Sequence, residues 1–280
     1  MISVIISDYV LHIPRKFFSE VKSSFRSAVD PQEQRIKDSI SYFMSLKNLY
    51  HGRRGFVIGN GPSLRMADLD LLKNEITIAS NKIFLAFPHV EWRPTIYTVA
   101  DPLLWEKIEQ EIPDEVGMIH LPQYIDPASS SGRNIKTWRV LSPPAGETRE
   151  KDNSFSGVEF SSDLCIGMYG SWTVTFDNLQ FAAHLGLSPI YIIGCDHYYA
   201  EELDIEQNKP VLAGNVNNHF IANYRQPGEL VNPAPIKLME RGYAEARIFS
   251  DRTGIGIFNA SRGGFLETFH RVDFESLFCI

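Results

Sequence analysis

The segment Phe56-Val57-Ile58-Gly59-Asn60-Gly61-Pro62-Ser63-Leu64 runs an apolar strand straight into a Gly-Asn-Gly-Pro-Ser turn. Val57 and Ile58 suit a buried parallel strand, Gly59 and Gly61 permit close backbone approach, and Ser63 can cap a helix that begins near Leu64. An anion held in such a turn would meet unpaired N–H groups and the positive end of the helix dipole. The turn is therefore expected to hold a phosphate, the alternative being a plain strand-to-helix connector. It is neither G-x-G-x-x-G nor G-x-x-x-x-G-K-[ST], so the dinucleotide fingerprint and the P-loop are both absent.

The pattern repeats along the chain. Ile76–Ser80 leads to Asn81, Thr95–Ala100 to Asp101, Met118–Leu121 to a loop, and Ile190–Ile193 to Gly194-Cys195-Asp196-His197-Tyr198-Tyr199. Helices are expected at 68–72, after Ser171 as far as Gly186, and at 235–250, with a further strand at 256–258. Strands alternating with helices predict an α/β chain: a single Rossmann-like domain with a mostly parallel sheet over 55–280, preceded by an N-terminal helical arm over 1–54. Ligands of such sheets gather at the carboxyl ends of the strands, where Asn60, Asn81 and Asp101 all fall. The polar stretch 127–162 reads as surface loops with a short hairpin near Trp138.

At 280 residues and 44% hydrophobic content the chain can bury one large core. A net charge of −7 argues against broad nucleic-acid binding and directs the phosphate reading to a small ligand. The three cysteines show no C-x-x-C spacing, which points to no disulfide framework, no zinc site and a reducing, cytoplasmic compartment. No stretch is long enough to span a bilayer. In 14–29, Arg15, Lys16, Lys22 and Arg26 alternate with Phe17, Phe18, Val21 and Phe25, a pattern that suits peripheral contact with an anionic membrane or, as the preferred reading, packing on the protein's own body.

Asp196-His197-Tyr198-Tyr199 is the densest group of functional side chains: Asp196 can orient a base or bind a metal, and Tyr198 can bond to a phosphate or carboxylate. His219, in an amide-rich irregular stretch, is a candidate general base. Arg225, Arg262 and Arg271 are candidates for anion contact, with Arg262, in a glycine-flanked turn, the strongest. No H-E-x-x-H and no G-x-S-x-G occur, so neither a zincin nor a covalent serine hydrolase is expected.

From about Gly55 onward these pieces, in order, resemble the family-42-type bacterial sialyltransferases and the related domain of flagellin-glycosylating motility accessory factors. The pieces are Gly59-Asn60-Gly61-Pro62-Ser63-Leu64, Ser80-Asn81, the strand end at Asp101, Gly170-Ser171, Leu185-Gly186 through Tyr198, and Asn218-His219-Phe220; Phe258-Asn259-Ala260-Ser261 looks like the closing strand. The resemblance implies an inverting glycosyltransferase that moves a nonulosonic acid, sialic acid-like or Kdo, from a CMP-activated donor to an acceptor hydroxyl of a surface glycan or glycoprotein, without a metal or other cofactor. It implies that Asn60 and Asn81 hold the nucleotide, that Ser171 lies in the donor site, and that Tyr198 meets the phosphate. Two positions depart: the family's base histidine falls near Asn223, and Asp101 stands where the sialyltransferases carry asparagine, so either His219 takes the base role or this branch uses another donor, such as a different nonulosonate or Kdo. The motility-factor branch is the nearer of the two.

The expected donor site therefore comprises Gly59, Asn60, Gly61, Ser63, Asn81, Asp101, Ser171, Asn259 and Ser261, with His219, Tyr198 and Asp196 as the catalytic set. The Gly-Asn-Gly-Pro-Ser-Leu strand end also resembles archaeal pterin pyrophosphokinases, in which Asp101 and Asp196 would bind magnesium for ATP. A catalytically inactive nucleotide-binding protein is the third reading.

Overall fold

The computed structural model describes residues 30–127, 132–142, 159–199, 210–214 and 217–278, together with the backbone of 2–6 and 9–13. Strands β1 (Ile2–Ile6) and β2 (Tyr9–Ile13) pair antiparallel. Helix α1 (Pro31–Leu46) follows, started by Asp30, whose side chain accepts from Gln32 N, and by a proline in the first turn. Within 1–54 the described elements are thus a strand pair and one helix. α1 buries Ile36, Phe43 and Leu46, and Phe43 meets Phe181 edge-on at 6.1 Å. The amphipathic stretch 14–29 lies outside the described residues.

The chain then alternates. β3 (Gly55–Ile58), α2 (Met66–Leu71), β4 (Ile76–Ser80), β5 (Ile96–Thr98), α3 (Pro102–Ile108), β6 (Met118–Pro122) and β7 (Asn134–Trp138) come first. The short pair β8 (Val140–Leu141) and β9 (Met168–Tyr169) precedes α4 (Val174–His184) and β10 (Ile190–Ile193). A second short pair, β11 (Val211–Leu212) and β12 (Leu230–Val231), leads to α5 (Ile236–Thr253), β13 (Ile257–Asn259) and β14 (His270–Arg271). Eight strands form one sheet in the order β7-β6-β5-β4-β3-β10-β13-β14, every neighbouring pair parallel. The fold is α/β and Rossmann-like.

Alternate residues of each strand feed two apolar layers. Val57, Ile78 and Ile192 join the layer of α1, α4 and α5, whereas Phe56, Ile58 and Ala79 join that of α2 and α3. Both faces are covered, which is why β3 and β10 read as unbroken apolar runs and β4 is buried along its whole length. Two expectations are corrected at the edges. Trp138 lies not in a hairpin but at the end of β7, paired parallel to β6, and β13 is not the closing strand, because β14 pairs beyond it. No helix among the described residues is long and apolar enough to cross a membrane.

Candidate functional site

β4 to β7 extend the sheet on one side of β3 and β10 lies on the other, so the strand order reverses between β3 and β10. A crevice opens at such a switch point, outside the carboxyl ends of the strands. Here it is a cleft of about 530 Å³, and Asn60, Asn81, Asp101, Ser171, Tyr198 and His219 all line it.

The glycine turn is built differently from a phosphate cradle. Gly59 N donates to Ile193 O at 2.8 Å and Gly61 N to Gly194 O at 2.8 Å. Ser63 N and Ser63 Oγ both donate to Asp196 Oδ2, at 3.1 and 3.0 Å. A Cβ on Gly61 would lie 2.0 Å from that same oxygen, and one on Gly59 2.4 Å from Gly194 O. The glycines therefore admit the exit of β10, and the protein's own Asp196 carboxylate occupies the anion's place. Burial pushes the Asp196 carboxyl above its ordinary range, against the opposing pull of the Ser63 donors. Ser63 is not the cap of α2: the N-cap is Arg65, two residues later, whose N–H donates to the Asp68 side chain.

Residues 217–232 roof the cleft and fasten to three successive strand ends. Phe220 N donates to Asn60 O at 3.0 Å, Lys82 Nζ to Tyr224 O at 2.9 Å, and Asn232 Nδ2 to Asp101 Oδ1 at 2.7 Å. Asp101 Oδ1 also caps α3, accepting from Leu103 N and Leu104 N. Glu229 lies 3.6 Å from Lys82 and 3.2 Å from Lys107. Burial alone would raise its carboxyl, but the Gln226 N–H and the two ammonium groups hold it below its ordinary range.

Among the described residues, three polar atoms of the cleft are buried without a hydrogen-bond partner: Asn60 Oδ1, Asn81 Oδ1 and Ser171 Oγ. Such atoms carry a desolvation cost of about 1–3 kcal/mol each unless a ligand or water bonds to them. Asn60 is oriented by its own Nδ2, which donates to Ser80 O at 3.1 Å, and Asn81 sits in the left-handed region at φ 58°. Ser171 is not the cap of α4; that role falls to Thr173, which accepts from Thr175 N. His197 Nε2 lies 3.5 Å from the Glu240 carboxylate, and among the described residues neither ring nitrogen has a closer hydrogen-bond partner. Tyr198 is 51% exposed at the mouth, its ring 5.5 Å from that of Phe265.

His219 stacks on Tyr224 with ring centroids 3.8 Å apart and planes 6° from parallel. Burial, then the Arg225 and Lys82 cations, pull its imidazole down to about 3, so it is neutral at physiological pH. Asn223, where the resemblance places the family's histidine, is exposed.

Two expected donor contacts are displaced. Asn259 is fully buried, its Nδ2 donating to Leu266 O at 2.8 Å and its Oδ1 accepting from Ser261 N at 2.9 Å. Ser261 Oγ accepts from Cys195 N at 3.0 Å. Both residues stand outside the cleft lining and tie the end of β13 to that of β10.

The arginines sort in the reverse of the expected order. Arg262 is bound to Asp68 and, at 2.6 Å, to Glu275. Arg271 pairs with Glu267 at 2.7 Å and donates to the carbonyls of Ser261, Gly263 and Gly264. Arg225 lines the cleft.

Asp177 was not foreseen. It sits in the first turn of α4, buried, on the cleft wall, and burial holds its carboxyl well above its ordinary range. Neighbouring polar groups of this buried helix are spent on the fold: Asn178 Oδ1 accepts from Thr98, Gln180 binds Ser161 and Tyr169, and His184 bonds to Phe43 O. The available signal was a carboxylate inside the apolar run Val174-Thr175-Phe176-Asp177-Asn178-Leu179.

No family model matches the sequence, and no curated protein matches it either. Among solved structures, the MAf glycosyltransferase from Magnetospirillum magneticum AMB-1 is similar, with a TM-score of 0.50 and 16% identity over 87% of this chain. The chain spans 39% of the length of that protein. At this identity the likeness shows the fold alone.

Proposed function

We propose that the cleft binds a nucleotide-activated sugar and transfers the sugar, a nonulosonic acid carried on CMP, to a hydroxyl of a glycan or glycoprotein acceptor. The observation that carries the reading is the set of buried, unpartnered atoms Asn60 Oδ1, Asn81 Oδ1 and Ser171 Oγ on one cleft at the switch point. Amide oxygens accept, so Asn60 and Asn81 suit ribose hydroxyls or a cytosine amino group rather than a phosphate. The Ser171 hydroxyl can donate to the phosphate, and Tyr198 meets the leaving group from the mouth. His219 takes the acceptor proton as an oxocarbenium-like centre forms, a contribution of about 10²–10⁴-fold in rate. The glycosyltransferase named among similar folds supports the reading in general terms.

Magnesium-dependent pyrophosphoryl transfer would draw on Asp101 and Asp196, and both carboxylates already accept hydrogen bonds from the protein's own N–H and O–H groups.

Thermal shift with CMP, CDP, UDP, GDP and ATP, each in EDTA or in magnesium, tests the proposal. A ligand at about 100 times its Kd adds about 2.7 kcal/mol to the native state. CMP is expected to raise the melting temperature in EDTA. Protection by ATP only with magnesium would transfer the reading to pyrophosphoryl transfer, and protection by none of the nucleotides would end it.

A further inference from the structure

We propose that Arg225 is the anion anchor of the cleft, its guanidinium pairing with an oxyanion of the ligand, either a nucleotide phosphate or the carboxylate of an acidic sugar. The proposal rests on the nucleotide-sugar reading for the ligand's identity but not for its charge.

Three observations lead there. The place where the sequence puts an anion is filled, because Asp196 takes both Ser63 donors and the N–H groups of Gly59 and Gly61 are spent on the carbonyls of β10. Lys82 and Lys107, the other cations on the cleft wall, share Glu229, and Lys82 also donates to Tyr224 O. Arg225 is half-buried on the same wall and, among the described residues, has no hydrogen bond and no counter-ion. A partly desolvated guanidinium is costly to leave unpaired, and its planar fork matches the two oxygens of a carboxylate or phosphate.

Its surroundings fit the role. The groups that feel its charge are Tyr199, His219 and Tyr224, all lining the cleft. The cleft carboxyl Asp177 acts on a different residue, Tyr124, and burial favours its neutral form, so it does not serve as the counter-ion of Arg225. An anion bound to Arg225 would also offset one of the two cations that depress His219, which makes the imidazole a better proton acceptor once the cleft is filled.

The test is calorimetric titration of the whole chain and of R225Q, R225K and R262Q with cytidine, CMP and N-acetylneuraminate. R225Q is expected to weaken the anion that uses this site by about 10- to 100-fold. R225K should recover part of that loss, R262Q should leave it unchanged, and cytidine should bind R225Q as it binds the wild type. A loss confined to CMP assigns the phosphate, and one confined to N-acetylneuraminate assigns the carboxylate. Because Arg225 holds no partner among the described residues, R225Q should melt with the wild type when empty, which separates lost binding from lost folding. Equal affinity of wild type and R225Q for both anions, or no binding of either anion by the wild type, overturns the proposal. Arg225-dependent binding of N-acetylneuraminate without binding of cytidine or CMP would sustain the anchor and end the nucleotide reading.

Discussion

Asp196 Oδ2 lies 3.1 Å from Ser63 N and 3.0 Å from Ser63 Oγ, against the bare Cα of Gly61. A carboxylate from the end of β10 thus completes the turn after β3, and the turn acts as a joint between two strands. G61A would place a methyl group against that oxygen and should cost about 1–3 kcal/mol. D196A leaves the two Ser63 donors without their acceptor and should cost a similar amount, about 1–3 kcal/mol. Since both substitutions act at one contact, urea unfolding of G61A/D196A should show a cost well below the sum, with a coupling of about 1 kcal/mol or more. Strict additivity would show that the turn and the strand exit are independent.

The buried Asp177 carboxyl should work against folding at neutral pH. Burial raises its folded pKa, so the folded state holds the proton longer than the unfolded state does. Stability from this group is complete below the unfolded value of about 3.9 and is lost as pH rises through the higher folded value. D177N should therefore be more stable than the wild type at neutral pH, with an advantage that shrinks toward about pH 4. Thermal melts across that interval with no change in the difference would show that Asp177 is solvated or paired.

His219 has the opposite sign. Its folded pKa of about 3 lies below the unfolded value, so its contribution is present above about pH 6.5 and is lost as pH falls toward the folded value. In a proton NMR titration its imidazole signal should stay flat between about pH 5 and 8. R225Q should move the transition upward, since it removes the first-named cation. A normal titration in the wild type would place the ring in solvent.

Arg262 should matter for stability and not for binding. It sits between Asp68, whose side chain is 6% exposed, and Glu275 at the surface. R262Q strands the buried Asp68 charge and should cost about 1–3 kcal/mol in chemical denaturation, discounted from a fully buried pair because the guanidinium is partly solvated. A cost below a few tenths of a kcal/mol would mark the pair as an ordinary surface contact.

The interior strands were legible because both faces of the sheet are covered: β4 and β10 fall on the residues their apolar runs predict. Gly186, at φ 77°, closes the helix that precedes β10 as expected. The edges were not legible. β7 includes the polar Asn134 and Lys136 and so resembles a loop in sequence, and β14 is only two residues long. Asn60, Asn81, Asp101, Ser171, Tyr198 and His219 could be gathered from strand ends and ordered motifs, and they do line one cleft. What local spacing cannot reveal is which polar groups find partners far away in the chain. Arg262 meets Asp68 from 194 residues away, and Asp196 meets Ser63 from 133, so the conspicuous arginine and the conspicuous turn were both already occupied.

The roof over the cleft is held to the ends of β3, β4 and β5 by a few hydrogen bonds and by ion pairs through Glu229, and the apolar residues it buries or half-buries include Phe220, Tyr224 and Val231. Segments fastened in this way open independently of the core. In hydrogen exchange the Phe220 amide should therefore be released by local opening while the amides of β3 and β10 wait for global unfolding, and K107Q, which removes one partner of Glu229, should widen that gap. Access to the cleft would then be set by how often this roof lifts as much as by the shape of its mouth.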